Sequence, residues 1–318
     1  MRPYYYLVPH NIKGNIMSQA PKAVVMIRPH HFLPNPQTSA DNTFQSEADN
    51  NRSLTTLAYE QVSNMAKKLE DNGITVHLFE DVSKATPDSV FPNNWFSTHH
   101  DGKLAIYAMY PENRRLERRS DIIDKLVNQY QVNQIIDYSP YEHSSKFLEG
   151  TGALVLDHDA RVAYAVRSNR CSEQLFYEFC QQFSYRPVLF DAVNKQGTAV
   201  YHTNVIMTVG SSYVLLATEM IKDASQQRFV IEAIERTGKT IIHLTEQQIE
   251  QYCGNALELT NGDALYLALS QTAFNALTDE QKHLLNSEVT LLPFDVEAIE
   301  YAGGSVRCML AGIHLPKR

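Results

Sequence analysis

Five segments of this chain pass in the same way from a polar or glycine-containing stretch into an apolar run. They are "NWFSTHH" from Asn94, "EGTGALVLD" from Glu149, "HTNVIMTVG" from His202, "NALELTNGD" from Asn255 and "CMLAGIHLP" from Cys308. Their starting points are separated by 55, 53, 53 and 53 residues. A fixed period of this size marks a repeat architecture, in which each repeat is one supersecondary unit. The neighbouring elements repeat as well. The first four runs lead through a turn into a second run with strand patterning: "KLAIYAM", "RVAYAVRS", "YVLLATEM" and "ALYLALS". A helical stretch follows each: "RSDIIDKLVNQY", "SEQLFYEFCQQF", "SQQRFVIEAIERTG" and "TDEQKHLLNS". In the last of these Thr278 and Gln281 take capping-box spacing. A third strand closes each unit: "QIIDYSP", "PVLFDAV", "TIIHLTE" and "EVTLLPFD".

The fifth run lacks these companions on its C-terminal side, and the N-terminal part of the chain supplies them. "AVVMIRP" reads as a strand and "TVHLFED" as another. Between them "LTTLAYEQVSNMAKKLEDNG" reads as a helix, with Leu54, Val62, Met65 and Leu69 on one face and Gly73 at the C′ position. The predicted fold is therefore α/β: a five-bladed ββαβ propeller with a pseudo-five-fold repeat, its last blade completed by the N-terminal strand. Such closure protects the sheet edges. Residues 1–21 are expected to be a loose extension and 22–318 a single domain.

Charge and composition exclude some functions. With 28 basic and 36 acidic residues the net charge is −8, so no basic field is expected to attract nucleic acid. The one basic cluster, "NRRLERRSDIIDK", alternates with acids and reads as a solvated helix face. No apolar run approaches the ~20 residues of a membrane span, and the N-terminal stretch has no continuous apolar segment of the secretory kind. The four cysteines, at 171, 180, 253 and 308, form neither a C-x-x-C pair nor a zinc spacing. Reduced thiols in a cytoplasmic protein are expected, and a homodimer is the expected assembly because two-fold dimers are the commonest. The pairs His30–His31 and His99–His100 are adjacent residues that face opposite sides of a strand, so neither is expected to hold a metal.

Rotation of five related units would bring Asn94, Glu149, His202, Asn255 and Cys308 together near the axis. Singly, each has an ordinary reading: a buried Cys as a small hydrophobe, a His as a satisfied structural residue, a Glu as surface. Together, a carboxylate, an imidazole and a thiol form a nucleophile–base set.

These motifs resemble the guanidino-group-modifying, or pentein, superfamily of arginine deiminases, dimethylarginine dimethylaminohydrolases, amidinotransferases and arginine or citrulline hydrolases. "GGSVRCM" is similar to the deiminase nucleophile motif and "LEGTG" to its Glu-Gly-Gly motif. "HTN" stands where deiminases have His-x-Asp, and "FPNN" where they have Phe-x-Arg-Asp. "FPNNW" and "QTSADNTFQ" are similar to stretches of the citrulline-utilisation hydrolases, a subgroup also described as amidinotransferase-like. The resemblance implies Cys308, His202 and Glu149 as catalytic residues and Asn94 and Asn204 as substrate-binding residues. It also implies that Arg170, in "VRSNRC", holds a substrate α-carboxylate. Asn42 and Gln45 would come from a loop covering the pocket, and Arg28 from the completing strand, where a surface ion pair is an equally good reading. Asn255 shares the repeat phase but can also be read as satisfying backbone groups at the axis. No metal and no organic cofactor is implied.

The chain departs from the deiminase pattern at Asn94 and Asn204, where two aspartates would grip a guanidinium. A carboxylate only accepts hydrogen bonds, whereas an amide also donates, so a neutral ureido group with its carbonyl becomes acceptable. The expected reaction is hydrolysis of citrulline, or of arginine through two rounds, to ornithine with release of ammonia and CO2. Cys308 as thiolate would attack, and His202 would protonate the leaving amine and then activate water. An amidinotransferase or an arginine deiminase is the alternative within the resemblance. A non-catalytic binding protein of the same fold is the alternative outside enzymes. A thiol redox protein is disfavoured by the lack of a nearby second Cys.

Overall fold

The computed structural model describes residues 18–38, 42–45 and 51–318. Most of the expected N-terminal extension, through residue 17, lies outside the described residues, as do Ser39, Ala40 and Asp41 of "QTSADNTFQ".

Fifteen strands are formed among the described residues: β1 (Ala23–Pro29), β2 (Thr75–Asp81), β3 (Phe96–Thr98), β4 (Lys103–Ile106), β5 (Gln134–Asp137), β6 (Leu154–Asp157), β7 (Val162–Val166), β8 (Arg186–Phe190), β9 (Met207–Val209), β10 (Tyr213–Leu216), β11 (Thr240–His243), β12 (Leu257–Thr260), β13 (Leu265–Ser270), β14 (Thr290–Phe294) and β15 (Ala311–Ile313). They make five three-stranded mixed sheets: β15-β1-β2, β3-β4-β5, β6-β7-β8, β9-β10-β11 and β12-β13-β14. In each sheet the central strand pairs antiparallel with one neighbour and parallel with the other. The parallel pairing needs a crossover long enough to hold a helix, and each of the five predicted helical stretches fills one: Asn51–Asp71, Ser120–Gln129, Glu173–Gln182, Ala224–Glu235 and Asp279–Asn286. The ββαβ order read from the sequence is thus the observed order.

The first and last parts of the chain share a sheet, as expected. Ala23 of β1 faces Ile313 of β15 on one side and Thr75 of β2 on the other. Neighbouring sheets touch through their shortest strands: β15 lies beside β3, and β9 lies beside both β6 and β12.

Local chemistry explains the boundaries. Helix Asp279–Asn286 opens with the reciprocal capping box between Thr278 and Gln281. Helix Asn51–Asp71 stops at Gly73, whose φ of +82° suits glycine best. That helix buries Leu54, Ala58, Val62, Met65, Ala66 and Leu69 against Val24 and Met26 of its own sheet and Leu292 and Phe294 of β14. Burying each large side chain contributes roughly 1.5–3 kcal/mol. No helix among the described residues is long and apolar enough to cross a membrane.

The structure corrects the expected phase. The five marked residues are not equivalent strand starts, because a single helical turn precedes four of the five short strands: Pro92–Asn94, Gly150–Ala153, Thr203–Val205 and Val306–Met309. Asn94 and Asn255 stand two residues before their strands, and Cys308 three. Glu149 and His202 stand five before theirs, as the residues that open their turns. Asn204, three residues before β9, is the closer structural counterpart of Cys308. A constant spacing near 53 conceals this because connections of unequal length offset one another.

Leu69 is fully buried and carries no chemistry. Leu69→Ala is expected to lower stability by about 2–5 kcal/mol, read as an earlier urea midpoint in a protein that keeps its secondary structure by circular dichroism.

Candidate active site

The helical turns before the short strands deliver the predicted residues to one place. Asn94, His202 and Cys308 line a common cavity of about 20 Å3 together with Asn42, Asp88, Arg114, Arg170 and Tyr201. Glu149 lies directly behind His202, fully buried, its Oε2 accepting from His202 Nε2 at 2.8 Å. Gly152 allows this meeting, since a Cβ there would stand 2.2 Å from Asn94 Nδ2 and 2.7 Å from His202 Nδ1.

Glu149 is the electrostatic centre. Arg170 Nη1 donates to its Oε2 at 3.3 Å, Arg114 Nη1 lies 3.9 Å from the same oxygen, and the Tyr110 amide donates to Oε1 at 2.9 Å. Burial by itself would raise this carboxyl, but Arg170, His202 and Arg114 outweigh it and hold Glu149 well below the usual carboxylate range. Burial also pushes the His202 imidazole below its ordinary value, partly opposed by Glu149. Because the proton sits on Nε2, facing the acceptor, His202 Nδ1 keeps the basic lone pair.

The sulfur of Cys308 is met by two amides: Asn255 Nδ2 at 3.3 Å and Asn204 Nδ2 at 3.5 Å. Asn255 also donates to the Asn204 carbonyl at 3.1 Å and accepts from the Arg307 amide at 3.1 Å. It therefore does both things weighed for it, satisfying backbone and touching the thiol. Burial pushes Cys171, Cys180 and Cys253 each up to about 12, and all four cysteines are free of disulfides. Those three serve as small core residues.

Arg170 is fully buried, bonded to Glu149 and stacked 4.9 Å from the centre of the Tyr201 ring. Asn42 reaches the cavity from its loop and donates to the Ala302 carbonyl at 3.1 Å, while Gln45 of the same loop bridges Ala302. The Gly303–Gly304 pair makes room for these groups. A Cβ on Gly303 would meet the Asn42 amide at 2.4 Å, and one on Gly304 would meet the Phe91 ring at 2.5 Å. The structure does not bring Arg28 to this cluster: its Nε bonds the Glu80 carboxylate at 3.1 Å, its Nη1 reaches Ser63, and its guanidinium covers Tyr59.

Two site residues escaped the sequence reading. Arg114 belongs to the basic cluster taken as a solvated face, yet it is 2 % exposed and forks onto Glu117, itself 1 % exposed, at 2.9–3.2 Å. Burial alone would lower its pKa, but Glu117, Asp88 and Glu149 hold it above its ordinary value. The remainder of the cluster, Arg115, Arg118 and Arg119, is partly solvated. Asp88 is buried, takes Asn35 Nδ2 at 2.7 Å on Oδ2, and lies 3.7 Å from Arg114. Its position six residues before Asn94 was the available signal. Asp88 Oδ1, Asn94 Nδ2 and Asn204 Oδ1 are buried without a hydrogen-bond partner among the described residues. A donor–acceptor ligand would satisfy them.

Comparison with known proteins follows from this geometry. The sequence model of the family described as N,N dimethylarginine dimethylhydrolase, eukaryotic, matches residues 28–315. No curated protein matches the chain in sequence. Solved structures match its fold. The N-terminal domain of ArgZ, an arginine dihydrolase from the ornithine-ammonia cycle in cyanobacteria, superimposes with a TM-score of 0.72 at 16% identity, covering 92% of this chain and 98% of that one. The longer AgrE chain, of which 40% is covered, gives 0.70 at 16% over 93% of this chain. A DDAH from Pseudomonas aeruginosa, in complex with citrulline, gives 0.64 at 14% identity, covering 92% of this chain and 100% of that one.

His202 is expected to titrate below 6.5 and lower still in Glu149→Gln, since the substitution removes the groups that raise it; NMR titration of its ring protons checks this. Because Glu149 is held low, the stability it contributes is present above its unfolded value of about 4.5 and is lost as pH falls below that. The stability difference between wild type and Glu149→Gln should shrink on acidification.

Proposed function

Since the chain belongs to the family described as N,N dimethylarginine dimethylhydrolase, eukaryotic, we propose that it is a cysteine-dependent hydrolase of C–N bonds in ureido or guanidino amino acids, with citrulline as the expected substrate and ornithine as the product. In this reading the five sheets are blades set about one axis and residues 22–318 act as one catalytic domain. The pairing of β15 with β1 supports that arrangement.

The observation that carries the substrate class is the set of amides at the nucleophile. Asn204 and Asn255 touch the Cys308 sulfur, and Asn94 lines the same cavity, its Nδ2 without a hydrogen-bond partner among the described residues. A guanidinium offers only donors and would favour carboxylates here; a ureido carbonyl needs donors. Asp88 is the carboxylate that lines the cavity, and it lies beside Arg114 and near Arg170. An acid with two arginines suits an α-ammonium and an α-carboxylate, so this end would hold the amino-acid backbone of the substrate.

The reaction then runs in two halves. His202 Nδ1 takes the proton of the Cys308 thiol as the sulfur adds to the ureido carbon, the C–N bond to the terminal amine breaks, and ammonia leaves with that proton. The product is an alkylthiocarbamate on Cys308. His202 Nδ1, now bare, takes a proton from water as its oxygen adds to the same carbon. The C–S bond breaks, Cys308 is regenerated, and the carbamic acid loses CO2 to leave ornithine. Glu149 orients the imidazole and supports its charged form. With arginine the same steps would first give citrulline.

Incubation with citrulline should yield ornithine and ammonia in equal amounts. Release of dimethylamine from dimethylarginine with no ornithine from citrulline would instead favour the reaction that the family description names. Cys308→Ser should abolish turnover, and His202→Asn should lower kcat by about 10²–10⁴-fold. Asn204→Asp should raise the ratio of kcat/KM for arginine to that for citrulline. An unchanged ratio would remove the basis for the ureido preference.

A further inference from the structure

Three histidines far apart in sequence meet where three short strands end. His100 follows β3 by two residues, while His158 and His314 directly follow β6 and β15. Each offers a ring nitrogen, and the three nitrogens lie within 4.8 Å of one another. The His158 and His314 rings stack with centroids 3.7 Å apart, and His100 stands 5.1 Å from His314 and 5.9 Å from His158. His158 and His314 also line a cavity of about 40 Å3, bounded by residues of the short strands and by Arg307. His100 meets partners from other strands and not its neighbour in the His99–His100 pair. His99 indeed turns elsewhere, to Ser97 at 2.9 Å.

Hydrogen bonds fix the free nitrogen of His100 and point to that of His158. The Ser18 carbonyl can only accept, so His100 Nε2, 3.0 Å away, carries the proton and Nδ1 keeps its lone pair. Tyr185 Oη lies 3.0 Å from His158 Nδ1, the kind of outer contact that fixes a ligating histidine and leaves Nε2 for the metal. His314 Nδ1 is buried with no hydrogen-bond partner among the described residues.

We propose that His100, His158 and His314 form a binding site for one divalent transition-metal ion, with zinc as the expected occupant and a water molecule completing the tetrahedron. Three imidazoles without thiolate or carboxylate suit zinc, copper or nickel and not calcium or magnesium. Nitrogens on one tetrahedral ion stand roughly 3.4 Å apart, and the half-buried His100 ring is the one with room to close the remaining gap. The ion would tie together three sheets, two of which are already joined at this end by Thr98 Oγ1, which donates to the Gly312 carbonyl and accepts from the His314 amide. The site is separate from the catalytic one, whose cavity has other walls.

The test uses the Cys308→Ser protein, so that the catalytic thiol is not a ligand. After chelator treatment it is titrated with Co2+ and then Zn2+. The expected result is one equivalent of Co2+ with the visible absorption of a four-coordinate nitrogen–oxygen site, displacement by one equivalent of Zn2+, and a higher thermal midpoint with metal. His314→Ala should lose this binding. His100→Ala, at the half-buried member, should lose it too, and with Cys308 restored should keep its turnover of citrulline. Absence of stoichiometric binding overturns the proposal. So does binding that survives both substitutions, or binding that only His202→Ala removes, which would place the ion at the catalytic residues.

Discussion

A carboxylate without solvent must be matched on every side, and Glu149 is matched by elements from four parts of the chain. Its oxygens take His202 Nε2, Arg170 Nη1 and the Tyr110 amide, with Arg114 close by. Removing one partner from such a set leaves an uncompensated buried charge, which costs about 3–5 kcal/mol. The position of the imidazole, its tautomer and the placement of Arg170 follow from this one anion, while Arg114 is shared with Glu117. At Asp88 and Glu117 burial outweighs the neighbouring Arg114 and raises both carboxyls above their ordinary range, Glu117 to about 8.

The second constraint is geometric. Short strands alone would alternate their side chains between two faces. A helical turn ahead of four of the five short strands breaks that alternation and lets residues at different offsets reach the same cavity. Thus Asn94, Asn204, Asn255 and Cys308 approach from two or three residues before their strands, and Glu149 and His202 from five. The amides contact the sulfur while the acid stays behind the imidazole, a division into two layers that a single period cannot encode.

Much of this was legible beforehand. Strand β1, strand β2 and the helix face of Leu54, Val62, Met65 and Leu69 follow from local hydrophobic periodicity, which depends only on residues a few positions apart. The convergence of Cys308, His202 and Glu149 was legible through the repeat. Arg114 was not: its surroundings of alternating charge are the same whether a segment faces solvent or a buried acid, and only Glu117 and Glu149 distinguish the two. Arg28 errs in the opposite direction, for a strand position near the site says nothing about which side chain turns to Glu80.

The sequence by itself determined the element order, the repetition of five units, the joining of the first and last strands and the set of residues expected to react, because each is carried by patterns along the chain. Tertiary structure decided which groups share a hydrogen bond: the two amides on the thiol, the arginines on Glu149, and the three histidines gathered from separate strand ends. Those contacts depend on connection lengths and on burial, which arise only when sheets distant in sequence pack together and water is excluded between them.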